Sequence, residues 1–161
     1  MNTTLEVLAL ILIISTIVNT IFAAEVLFKQ KWGKGSKGWG ILDDFHHLFD
    51  RNTVRNFSGV VTKIKYQSPL KGMSSGILVN VKNDNEELNV WLGPAWYLDH
   101  QDEKVTVKEK LEFRGSKIML NEQPVMLASE VHKGSATLYL HDEHGYPTWC
   151  GWKKRSASFK F

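Results

Sequence analysis

Residues 141–152 read "HDEHGYPTWCGW", a stretch that holds two histidines, two acids, a tyrosine and the only cysteine of the chain. Imidazole and thiolate are metal ligands, but each must approach a shared ion to within about 2.0–2.3 Å. The same residues also suit a turn. Asp142 can begin it, and Gly145 can take the positive φ that closes it. A hairpin built on Asp142–Gly145 sets His141 opposite Tyr146, Leu140 opposite Pro147 and Thr137 opposite Cys150. At ~3.3 Å per residue, Cys150 then lies about 13 Å from His141, too far for one ion. His141 and His144, with Tyr146 beside them and His132 upstream, are left as the candidate metal or haem contacts. No motif demands a cofactor, so the expectation is none, with haem or a metal ion as the alternative. Cys150 sits between Trp149 and Trp152 with no basic neighbour before Lys153, the setting of a packed thiol and not of a reactive one.

The elements that must position these groups read as strands. "FSGVVTKIKY" (57–66), "ILVNVK" (77–82) and "ELNVWL" (87–92) alternate apolar and polar residues and are divided by turn signals. Pro94 starts a short helix over 95–100. "KVTVKEKLEFRG" (104–115) and "QPVMLASEVHKG" (123–134) follow as further strands, joined by "SKIMLNEQ". Three strands, a helix and two strands is the order of an OB-fold, whose closure removes exposed strand edges. The fold class expected is therefore mainly β: a small five-stranded OB-fold-like barrel over 57–134, an added β-hairpin over 135–152 and a basic tail over 153–161.

Upstream, "VLALILIISTIVNTIFAA" (7–24) carries no charge. At ~1.5 Å per residue it spans about 27 Å, close to a hydrocarbon core of ~30 Å. No Lys or Arg precedes it, and Phe22 breaks a small-x-small cleavage pattern, which favours a retained transmembrane anchor over 1–28. Lys29, Lys31, Lys34 and Lys37, with Trp32 and Trp39, then form a candidate membrane-interface cluster in a glycine-rich stretch. Residues 29–56 read as a basic juxtamembrane linker ending in a short amphipathic helix. In that helix Ile41, Leu42, Phe45, Leu48 and Phe49 share a face. His46 and His47, about 100° apart on it, do not readily chelate one ion.

The formal charge of +3 over 161 residues names no partner by itself. No Gly-rich phosphate loop, HExxH, nucleophile elbow or cysteine pair is present, so an enzyme is not expected. Trp91, Trp96, Tyr97 and Trp149 are candidate contacts for a protein partner in a membrane complex. A single-stranded nucleic acid is the weaker alternative, using Trp91, Tyr66, Lys63 and Lys65. Membrane lipid is the partner expected for the apolar run.

Three segments, "VWLGPAWYLDHQ" (90–101), "LASEVHKG" (127–134) and "LYLHDEHGYPTW" (138–149), resemble small bacterial membrane-anchored OB-fold proteins of the MamS-like, magnetosome-associated type. The resemblance covers roughly residues 57–152. It implies an accessory role around membrane redox or metal systems and a domain outside the cytoplasm. The lysine flank points to the cytoplasm instead, so a single-pass protein of the bacterial cell membrane is expected with its side left open. Where this chain has His141, that pattern often carries a basic residue. The architecture is also similar to the haem chaperone CcmE, which implies haem attachment through an HxxxY histidine. Here "HDEHGY" places Tyr146 one residue further from His141.

Overall fold

The computed structural model describes residues 36–151. The chain divides into two units, Met1–Gly35 and Ser36–Phe161. The apolar run, Lys29, Lys31, Trp32, Lys34 and the basic tail lie outside the described residues. Among the described residues no helix is long and apolar enough to cross a membrane.

Six strands form the unit: β1 (Val54–Gln67), β2 (Gly76–Lys82), β3 (Glu87–Pro94), β4 (Lys110–Leu120), β5 (Gln123–Lys133) and β6 (Ala136–Tyr139). The 14-residue β1 changes partner along its length. Val54–Val60 pair with β4, and Val60–Gln67 pair with β2. A register shift between Val61 and Lys63 lets the strand bend at the exchange. β2 pairs with β3, β4 with β5, and a parallel run from Asn89↔Val125 to Trp91↔Leu127 joins β3 to β5. Five strands thus close a ring, and β6 is added to β5 alone.

Alternation explains which side of the ring is dry. Directly paired residues point to the same face, so Phe57, Phe113, Val131 and Leu138 make one inward row. Val61, Val79, Val81, Val90, Leu111 and Met126 are almost wholly buried around it. α1 (Asp44–His47) and a 3₁₀ turn (Arg51–Thr53) precede the ring, and α2 (Ala95–Leu98) follows β3.

Four expectations need correction. The strand expected over 104–115 begins only at Lys110, because Lys108 has φ 73 and the Thr106 amide caps the Glu109 carboxylate in a loop. "SKIMLNEQ" is not a long connection. β4 runs to Leu120, and only Asn121 and Glu122 form the turn. The hairpin expected over 135–152 is replaced by one between β5 and β6, turning at Gly134 and Ser135. Asp142–Gly145 does turn, with Gly145 N–H to Asp142 O at 2.9 Å and Gly145 at φ 85. Its return arm, however, makes one bridge, His141↔Pro147, and then becomes helical at Trp149. Cys150 N–H donates to Pro147 O, so Cys150 does not pair with Thr137.

The fourth correction concerns residues 29–56. From Ser36 onward they belong to the folded unit and are not a linker. Trp39 is 2% exposed and packs in the core, not at a membrane interface. The amphipathic helix shortens to the four residues of α1, with Phe45 buried and Leu48 and Phe49 packed on the core.

The Asn121-Glu122 turn supplies a first prediction. Both residues have positive φ (50 and 62), as a primed two-residue hairpin requires, and a left-handed conformation costs a non-glycine residue roughly 1–2 kcal/mol. Glu122→Gly relieves that strain, while glycine's extra unfolded-state freedom offsets about half of it. A net gain of up to about 1 kcal/mol is expected, read as a higher midpoint in urea. A lower midpoint contradicts the turn assignment.

Candidate functional site

Two neighbouring features carry the polar and aromatic side chains that the sequence singles out. One is an aromatic cap. Trp39 meets Phe45 edge-on at 5.0 Å and Trp149 at 6.1 Å, and Trp91 lies 6.4 Å away. The Trp39 indole N–H donates to Ser74 O at 3.0 Å, and its carbonyl accepts the Trp149 indole N–H at 2.7 Å. Such rings fit because β2 and β3 present bare backbone to them. A Cβ at Gly76 would collide with the Trp39 ring, and one at Gly93 would lie 2.7 Å from Trp149 Cζ3.

His141 joins this cap. Its ring stacks on Phe49 at 4.7 Å, meets Trp149 edge-on at 5.2 Å and faces His46 at 6.3 Å. Its Nδ1 lies 2.8 Å from Ala128 O, which fixes the proton on Nδ1 in the neutral ring. Burial lowers its pKa to about 4, with the Ala128 carbonyl opposing and His46 adding to the shift. His46 is lowered too, first by burial and then by His47. Burial raises the Cys150 thiol, whose Sγ lies against Trp39 O. The packed, unreactive thiol read from its neighbours fits this setting.

The structure separates the four candidate metal or haem contacts. His132, on β5, has both nitrogens engaged, Nδ1 with Thr137 Oγ1 at 3.0 Å and Nε2 with Glu130 Oε2 at 3.1 Å. His141 is held in the cap, while His144 and Tyr146 sit at the turn, their rings 6.2 Å apart. The turn itself is tied by Asp142 Oδ1, which accepts the His144 and Tyr146 amides at 2.9 Å each. Among the described residues no three of His, Cys, Asp and Glu come together as a metal-holding group. His46, read from sequence only beside His47, stacks near both His141 and Tyr146, partners about a hundred residues away that no local window contains.

Of the aromatic contact candidates, Trp91, Tyr97 and Trp149 are buried at 4, 7 and 5% exposure and Trp96 is half-buried. Trp91, Tyr97 and Trp149 pack in the core, and Trp96 packs against it. Lys37 is exposed.

The second feature is a polar groove on the wet face of the ring. Two adjoining concavities of about 690 and 710 Å³ share Arg51, Val54, Arg114 and Glu130. Register builds its floor: Asn56 pairs with Arg114, Arg114 with Glu130 and Glu130 with Tyr139, so all four point outward in one row. The 3₁₀ turn forms one wall. Asp50 Oδ1 caps the Asn52 amide at 2.9 Å, and buried Ser116 holds the Asp50 amide and the Thr53 hydroxyl at 3.0 and 2.9 Å. Arg114 and Glu130 pair at 3.1 Å. Among the described residues, the Arg51 guanidinium has no hydrogen bond or ion pair, and Arg55 reaches only Val54 O. Sequence reasoning missed this groove because it placed Arg51 and Arg55 in a helix-and-linker segment. Correct strand boundaries would have aligned the row.

Ring, cap and groove together define a small, mainly β ring domain with most of its tryptophans turned inward and its charge outward. The chain belongs to the MamS/MamX magnetosome protein family, whose sequence profile matches residues 53–138, more than half of it. The match runs from the end of the 3₁₀ turn into β6 and stops before His141. No curated protein matches the chain.

Proposed function

We propose that this protein is a membrane-anchored accessory or assembly subunit, a small OB-type barrel that docks on a larger membrane-associated complex of the magnetosome. Family membership supports the setting. The strand sequence β1-β2-β3-β5-β4 around the ring supports the barrel class. The charge-free run 7–24 supports the anchor. The observation that carries the docking role is the groove. It is a broad concave face of a domain whose tryptophans are taken up in packing, and two of its arginines have no ionic partner among the described residues. The role is non-catalytic in this reading, since Glu130, the carboxylate on the groove floor, is already held by Arg114 and His132.

The test is purification of the full chain, tagged at its carboxyl end, from detergent-solubilised native membranes. A reproducible assembly well above the 18.4 kDa of one chain is expected. Recovery of the chain alone, with nothing co-purifying across several mild detergents, counts against the reading. Protease digestion of intact vesicles assigns the side of the domain.

A further inference from the structure

Resting on that docking role, we propose that the Arg51/Arg55/Arg114 end of the groove is a receptor for an acidic polypeptide segment, a run of Asp and Glu side chains on the partner protein. Three guanidinium groups line this concavity against the single carboxylate of Glu130. Arg114 is the one that Glu130 neutralises, at 3.1 Å. Arg51 and Arg55 are exposed and lack an ionic partner among the described residues. A planar guanidinium offers paired N–H donors that match a carboxylate fork, the geometry lysine cannot supply.

Two features decide for an acidic segment over a nucleic acid. Single-strand binders add exposed aromatic faces on which bases stack. The arginine lobe has none but the His132 imidazole, exposed Tyr139 is a single ring in the adjoining lobe, and Trp91, an aromatic that the barrel would offer for stacking, is buried. The form of the groove also suits a chain and not a single ion, since two concavities of about 690 and 710 Å³ run into each other. Its far end carries Asp142 and Glu143, so the groove is polar along its length, cationic at one end and anionic at the other. A bound segment is therefore oriented, with its acids against Arg51 and Arg55.

The test uses the full chain in detergent and a fluorescein-labelled octaglutamate peptide, followed by anisotropy, with an eight-residue oligothymidylate and an octalysine peptide as comparators. Saturable octaglutamate binding that weakens steeply with salt is expected. The R51A/R55A double variant should lose at least tenfold in affinity. K63A/K65A, on the distant half of β1, should leave it within twofold. Glu130→Gln removes the competing carboxylate and should tighten binding at least threefold, a gain that a damaged fold cannot produce. Binding unchanged in R51A/R55A, absence of saturable binding, or preference for the oligothymidylate overturns the proposal. Failure here with a partner still co-purifying moves the docking surface elsewhere and leaves the accessory role standing.

Discussion

Replacing Trp39 by alanine is expected to remove about 3–5 kcal/mol of stability, the range for deleting a large buried aromatic. The indole contacts Phe45, Trp91 and Trp149, donates to Ser74 O, and its backbone carbonyl takes the Trp149 indole proton. Against the roughly 5–15 kcal/mol that a domain of this kind commonly has, such a loss brings unfolding within reach of growth temperature. Trp39→Phe keeps most of the packing and loses the hydrogen bond, so a cost of about 1–2 kcal/mol is expected. Urea denaturation of the full chain in detergent, followed by tryptophan fluorescence, reads both. A Trp39→Ala chain as stable as the wild type would place this residue outside the folded unit, in the interfacial belt that its sequence neighbours suggest.

Acidification gives the second large effect. The His141 ring is neutral in the fold, with a pKa near 4, and has an ordinary value of 6.5 when unfolded. Between these values the unfolded chain binds a proton that the folded one refuses. Stability contributed by the neutral ring is thus complete above about pH 6.5 and declines as pH falls towards 4. At 1.36 kcal/mol per unit the full decline is about 3 kcal/mol. The shift at His46 has the same sign and adds to it. Glu109, held below the usual carboxylate range by Lys133, adds its own loss only beneath about pH 4.5. The window from pH 6.5 to 5 therefore isolates the histidines. His141→Gln can retain a donor to Ala128 O but cannot titrate. It should start less stable at pH 7.5 and lose markedly less on acidification. An identical slope in wild type and variant contradicts the burial of a neutral His141.

The ring was legible from sequence because parts of its strands alternate, although β2, β3 and β5 also carry runs buried on both faces. Ile77, Val79 and Val81 against Leu88 and Val90 define two inward faces, and the structure pairs those strands as the period demands. What was illegible depended on contacts between distant segments. Trp39 reads as interfacial among lysines and glycines, yet Gly76 and Gly93 clear space for an aromatic cap that no local window contains. The carboxyl-terminal turn was correctly placed at Asp142–Gly145, but its return arm was not. Strand β6 satisfies its edge by pairing with β5, and Pro147 then opens a helical turn. The groove row fails to appear in any reading that puts Arg55 outside a strand, since only the β1–β4–β5–β6 register aligns Asn56 with Tyr139.

The docking claim is tested most directly by photo-crosslinking in native membranes from a reactive residue placed at Asn56, beside Arg55 in the groove, with Lys65 as the control site. The account predicts one discrete adduct from position 56, attached through an Asp- or Glu-rich peptide, lost in the R51A/R55A background and absent from position 65. No adduct at position 56, or one that persists after both arginines are removed, contradicts it.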